Sequence, residues 1–187
     1  FLYFDNNELQ NLEPLSNLKN LRNLSFKNNK VKNIKPISKL INLRVLLFEN
    51  NNVIDLEPLS NFIKLRTLFF DNNDVNCLKP LSNLTELTSL NFNFNKVVNI
   101  QPLEKLRKIE YLRFESNMVG CLKALTNLTN LIRLCVDNNK INSLEPLSNL
   151  KNLNYLRLNN NKIESLAPLT NLLKIETLYL DNNKITD

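Results

Sequence analysis

Residues 131–152 read LIRLCVDNNKINSLEPLSNLKN, and the spacing of the apolar side chains within this stretch decides the fold. Numbered from Leu131, the residues Leu131, Leu134, Val136, Ile141, Leu144, Leu147 and Leu150 fall at positions 1, 4, 6, 11, 14, 17 and 20. The same pattern recurs every 22 residues in both directions without insertion or deletion, the signature of a coil built from one repeated unit. Complete units begin at Leu21, Leu43, Leu65, Leu87, Ile109, Leu131 and Leu153, while residues 1–20 close an earlier unit and 175–187 open another. Residues 1–187 are therefore expected to form a single repeat domain. Neither end carries a polar unit that would cover the core in cross-section, which predicts a segment of a longer array.

The alternation at positions 4 and 6 has the period of an extended chain, so positions 3 to 7 read as a short strand whose even positions point inward. Strands 22 residues apart pair in parallel, because each return path crosses the back of the coil. The expected fold is an α/β solenoid, a right-handed superhelix with a parallel sheet on its concave face and strands about 4.8 Å apart. Short 3-10 or helical turns would fill the convex face.

Three columns of the repeat read as scaffold. Position 9 is asparagine in every coil, from Asn7 and Asn29 to Asn161 and Asn183. A polar residue amid core positions must be hydrogen-bonded, since each buried group left unpaired costs roughly 1–3 kcal/mol. Position 16 is proline from Pro14 to Pro168 except at Ala124, and proline suits the first turn of a short helical segment. Position 6 is phenylalanine in six successive coils, Phe4, Phe26, Phe48, Phe70, Phe92 and Phe114, then Val136, Leu158 and Leu180. Rings repeated at the coil spacing and pointing inward are expected to stack as core.

With these columns in place, the unit Leu131–Asn152 resembles the 22-residue leucine-rich repeat of the internalin type, in which L-x-x-L-x-L-x-x-N is followed by I-x-x-I-x-P-L-x-x-L. A related repeat without the regular proline is that of the cytoplasmic leucine-rich regulatory subunit of type 1 protein phosphatase, and the proline favours the internalin side. The internalin resemblance implies a secreted or surface protein of a bacterium that binds protein ligands with its concave sheet. The phosphatase resemblance implies, as the alternative, a cytoplasmic regulatory scaffold.

Positions that vary among copies escape the demands of the scaffold, and those on the exposed strand face are the natural place for recognition. Positions 3, 5 and 7 are expected to point outward. Tyr111, Arg113, Arg133, Tyr155, Arg157 and Tyr179 occupy positions 3 and 5 of the later coils. Tyrosine and arginine combine contact area with directional hydrogen bonds, which makes this group the preferred partner-binding surface. The competing reading is a ladder in which the two residue types merely cover one another by cation–π contact. An apolar group, Phe1, Tyr3, Val45, Leu47 and Phe69, occupies the same columns near the start. Position 7 is largely acidic, with Asp5, Glu49, Asp71, Glu115, Asp137 and Asp181, and reads as a solubilising edge, the alternative being a column that complements a basic partner. The pairing of Glu49 with Asp71 follows from stacked strands and does not indicate a hydrolase.

The net charge of +6 would favour acidic partners only if the basic residues were gathered. The lysines read as scattered, mostly at position 10 and around the back, and the acidic column would repel a nucleic-acid backbone, so a protein ligand is expected. No apolar run approaches the roughly 18 residues of a membrane span. Cys77 and Cys121 stand two coils apart at position 13, about 10 Å by strand spacing, beyond the roughly 7 Å that a disulfide bridges. Cys135, at position 5, is expected to face outward. With no histidine, one glycine and no clustered cysteines, the sequence offers no zinc site, no phosphate-cradling loop and no histidine-based catalysis. The expectation is a monomeric binding module, not an enzyme, without cofactor or metal.

Overall fold

The period-two alternation becomes nine short strands in the computed structural model, which describes residues 1–187. They are β1 (Leu2–Tyr3), β2 (Asn23–Ser25), β3 (Val45–Leu47), β4 (Thr67–Phe69), β5 (Ser89–Asn91), β6 (Tyr111–Arg113), β7 (Arg133–Cys135), β8 (Tyr155–Arg157) and β9 (Thr177–Tyr179). All nine lie in one sheet in sequence order, paired in parallel. The register is one whole repeat throughout, so that Leu112 of β6 stands beside Leu134 of β7. The strands end at position 5, earlier than the alternation suggests. Their hydrogen bonding nonetheless runs on: the Phe92 N–H donates to the Arg113 carbonyl at 2.9 Å and the Phe94 N–H to the Glu115 carbonyl at 2.8 Å.

Inward positions 1, 4, 6, 11, 14, 17 and 20, with Ala124 at position 16, merge into one core of 48 buried apolar residues running the length of the coil. Each fully buried leucine or phenylalanine contributes about 1.5–3 kcal/mol by leaving water. The phenylalanine column stacks through the interior with successive centroids 6.1, 5.6, 5.6, 5.6 and 5.3 Å apart and planes within 18° of parallel. On the convex side a 3-10 turn recurs in each coil, as at Glu57–Leu59 and Glu145–Leu147, with proline in its first turn. Lys123–Leu125 turns in the same way around Ala124, so the surrounding packing suffices without the ring. An acceptor at position 13 usually fastens this turn, as when Asn33 Oδ1 accepts from the Lys35 N–H at 2.9 Å. Cys77 and Cys121 stand at that position, exposed and free.

The position 9 asparagines stitch coil to coil. Asn95 Nδ2 donates to the carbonyls of Phe92 and Asn93 in its own coil and of Phe70 in the preceding one, at 3.2, 3.0 and 3.0 Å. Its Oδ1 accepts the Val75 N–H at 2.9 Å. Asn7, in the first coil, makes only the two bonds within its own turn.

Position 8, just before it, is where the chain reverses, and there every coil has a positive φ between 51° and 60°. Asparagine tolerates this left-handed conformation better than other residues with a β-carbon. Seven coils use it, and several of these amides form an outer ladder, Asn28 to Asn6, Asn50 to Asn28 and Asn72 to Asn50, at 2.7, 2.6 and 2.7 Å. Phe94 and Ser116 interrupt the ladder. Phe94 adopts a φ of 51° with its ring 58% exposed, so backbone strain of about 1–2 kcal/mol is offset by little burial.

Position 7 departs from the solubilising edge that its composition suggests. Asp71 Oδ1 accepts the Asn93 N–H at 2.7 Å, Asn93 Oδ1 the Glu115 N–H at 2.7 Å, and Asp137 Oδ1 the Asn159 N–H at 2.9 Å. The short side chains at this position therefore turn toward the next coil and satisfy its backbone. Asp137 is buried and Asp71 half-buried. Burial, reinforced by the neighbouring Glu49 charge, pushes the Asp71 carboxyl up to about 6, against the pull of the Asn93 bond and of Arg113.

Two stability outcomes are expected. Phe94→Asn relieves the turn and restores an amide beside Asn72, raising stability by about 1 kcal/mol and the melting temperature by about 2–4 °C; an unchanged or lower melting temperature contradicts the strain. Because the folded carboxyl of Asp71 titrates above its unfolded value, the fold favours its neutral form: that stability is present below about pH 4 and lost as pH rises through about 6. Asp71→Asn keeps the acceptor, as Asn93 and Asn159 do, and avoids ionisation. Partial exposure discounts the gain to roughly 1–2 kcal/mol at pH 7.5, with little change at pH 4. Denaturant titrations at the two pH values measure it, and a variant less stable at pH 7.5 contradicts the assignment.

Candidate functional site

The outward columns gather the tyrosines and arginines on β6 to β9. Along position 3 the register runs Tyr111, Arg133, Tyr155, Thr177, and along position 5 it runs Arg113, Cys135, Arg157, Tyr179. Tyr111, Arg113, Arg133 and Tyr179 are exposed, while Tyr155 and Arg157 are half-buried by their neighbours. A hollow of about 410 Å³ opens between the two columns, walled by Tyr111, Arg113, Arg133, Tyr155 and Arg157, with Ser89 and Asn91 at its side.

The three guanidinium groups are held differently. Arg113 Nη2 meets Glu115 Oε1 at 3.0 Å. Arg157 Nη2 bonds Asp137 Oδ2, while its Nε is buried without a partner. Burial works against both charges, and the facing carboxylates more than offset it, holding each arginine above its ordinary value. Arg133 has no carboxylate partner. It lies over the Tyr155 ring at 5.5 Å, as Arg157 lies over Tyr179 at 5.5 Å, and the rings of Tyr155 and Tyr179 are 6.1 Å apart. The mutual covering of arginine and tyrosine is thus realised, and it fixes the rings without filling the hollow. One charged group of the cluster remains free of any ionic partner.

Cys135 corrects an expectation. It does occupy position 5 of the sheet face, yet it is 5% exposed, closed over between Arg113 and Arg157 of the flanking strands. Burial pushes its thiol up, against the opposing charges of those arginines, so it stays protonated and unreactive at neutral pH.

The apolar group divides. Val45, Leu47 and Phe69 are half-buried, with Leu47 beside Phe69 across β3 and β4. Tyr3 stands apart next to Ser25, which is buried and donates its hydroxyl to Asp5 Oδ1 at 2.6 Å. Phe1 precedes β1 and is 82% exposed. No group of three or more metal-ligating side chains converges anywhere, and no helix is long and apolar enough to cross a membrane.

Outward reading of the strands overlooked two features. Asp137 and Glu115 act on the cluster from position 7, a role visible only once that column turns inward. Arg22, Arg44 and Arg66 occupy position 2, one step before the strand, and a register count at that position alone reveals them.

Comparison with known proteins agrees with this architecture. The family model for leucine-rich repeats, in two copies, matches residues 129–171 and 151–187. No curated protein sequence matches the chain. Among solved structures, internalin C2 of Listeria monocytogenes superposes with a TM-score of 0.92 at 30% identity, over 94% of this chain and 77% of that one. An internalin of the same organism, inlF, gives 0.63 at 28% identity over 94% and 65%. A leucine-rich-repeat protein of Leptospira interrogans gives 0.80 at 26% over 99% and 55%. Leucine-rich repeats are in general protein-interaction modules. Identity of 30% to internalin C2 over 77% of that chain is decisive: this chain belongs to the leucine-rich-repeat proteins of the internalin type.

Proposed function

We propose that residues 1–187 act as one recognition domain that grips a partner protein on the concave sheet, over the hollow between Tyr111, Arg133 and Tyr155. The observation that carries this reading is the state of Arg133. Arg113 and Arg157 are neutralised from within, whereas Arg133 presents an uncompensated charge above an aromatic floor. An acidic side chain of a partner can take its guanidinium in two parallel hydrogen bonds while an apolar neighbour packs on Tyr111 and Tyr155. The half-buried Val45, Leu47 and Phe69 offer a second contact area on the same face. Binding, not catalysis, fits this chemistry, because the cluster contains no nucleophile with an adjacent base; its one thiol is buried and protonated.

A random peptide library displayed on phage and selected against the folded chain supplies the probe. Enriched peptides are expected to carry an acidic residue beside an aromatic or aliphatic one. Arg133→Ala and Tyr155→Ala should each weaken them by roughly thirtyfold, the scale of a 2 kcal/mol hot spot. The convex-face double variant K35A/K79A should leave affinity within twofold. Peptides that tolerate both concave substitutions, or that depend on Lys35 and Lys79, overturn the reading.

A further inference from the structure

The remaining basic residues are not as dispersed as their sequence spacing suggests. Arg22, Arg44 and Arg66 stand at position 2 of three successive coils, all exposed along the leading edge of the sheet, where each strand begins. Their backbones are held at the coil pitch. The Arg22 carbonyl accepts the Arg44 and Val45 N–H groups at 2.7 and 3.1 Å, the Arg44 carbonyl those of Arg66 and Thr67 at 2.8 and 3.0 Å, and the Arg66 carbonyl those of Thr88 and Ser89 at 2.9 and 3.1 Å. Three guanidinium groups thus leave a rigid edge at intervals of about 4.8 Å.

None of the three takes part in a salt bridge, and Lys64, beside them at position 22, has none either. Elsewhere three lysines do pair with a carboxylate one coil back: Lys30 with Glu8, Lys96 with Asp74 and Lys108 with Glu86. Lys64 Nζ instead donates to Asn42 Oδ1 at 2.8 Å. A hollow of about 320 Å³ lies between Asn20, Arg22, Asn42, Arg44 and Lys64, lined by cations and amides without an apolar or acidic side chain. Neighbouring like charges at this spacing repel; Glu86 offsets Arg66 in part at the far end of the row, but it is itself bound by Lys108. Past Arg66 the column becomes Thr88 and then Glu110, so the row has a definite length.

We propose that this edge binds a linear sulfated polysaccharide, independently of the concave face. Guanidinium groups take sulfate and carboxylate in paired hydrogen bonds, and the amides of Asn20 and Asn42 suit sugar hydroxyls. A chain with an anionic group on each sugar ring keeps pace with the row. An extended acidic peptide sets the carboxylates of one face about 6.6 Å apart and falls out of step. A single-stranded nucleic acid lacks its usual stacking platform, because positions 21, 22 and 2 of these coils carry no aromatic residue.

The test uses the full chain and a heparin-derived hexasaccharide, with binding measured by calorimetry in about 0.1 M salt. R22S/R44S/R66S should weaken binding by roughly tenfold or more, since it removes three charge-assisted contacts. K140S/K162S/K184S removes the same charge from exposed, unpaired lysines of the opposite edge and should change it by less than threefold. Far-ultraviolet circular dichroism should show both variants melting as the parent does. No binding by the parent overturns the proposal, as does an equal loss in both variants, which would mean that net charge alone attracts the ligand. Equal or tighter binding of a single-stranded oligonucleotide or of polyglutamate would assign the row to another class of partner.

Discussion

The structure depends on the amide of one asparagine per coil. Placed where the strand ends, it donates to carbonyls of two successive turns and accepts a backbone N–H from the preceding coil, as Asn95 does with Phe70, Phe92 and Val75. Turns buried between stacked coils cannot reach water, so without this group their polar atoms would have no partner. Hydrophobic burial supplies most of the stabilisation but is indifferent to register. The asparagine bonds are directional, and they hold each coil one whole repeat from the next.

That constraint separates scaffold from variable surface. The inward columns must repeat, and the Phe4–Phe114 stack shows how closely they do. Columns outside the core are free to differ, yet the coil pitch still sets the spacing of whatever they carry. A row of three arginines on the leading edge and an alternation of arginine and tyrosine on the sheet face are both set out at that spacing. Charges within the concave cluster are trimmed from below by Glu115 and Asp137, so its electrostatics cannot be read from the outward columns alone.

Much of the fold was legible because its determinants are local and repeated: the strand positions, the buried asparagine and phenylalanine columns and the proline-led turns all follow from periodicity. The misreadings have physical causes. Position 7 looked solvated because its residues are acidic, but a short carboxylate can reach the N–H of the next coil, as Asp71 reaches that of Asn93. Cys135 looked exposed because of its column, but a small side chain between two arginines is covered by them. Phe94 gave no sign of strain because the left-handed turn belongs to its position in the coil and not to its own preference. Of the candidate site, the composition of the cluster was readable; the pairing of Arg113 and Arg157, which leaves Arg133 free, required geometry.

The central claim is that the position 9 amide couples adjacent coils, and Asn95→Ala tests it most directly, by denaturant unfolding together with hydrogen exchange at the Val75 amide. The account expects a loss of about 2–3 kcal/mol, since a buried N–H is orphaned and three carbonyls each lose a donor. The Val75 amide should lose its protection at the same time. A loss below about 1 kcal/mol with Val75 still protected would contradict the account, because burial alone would then be holding the coils in register.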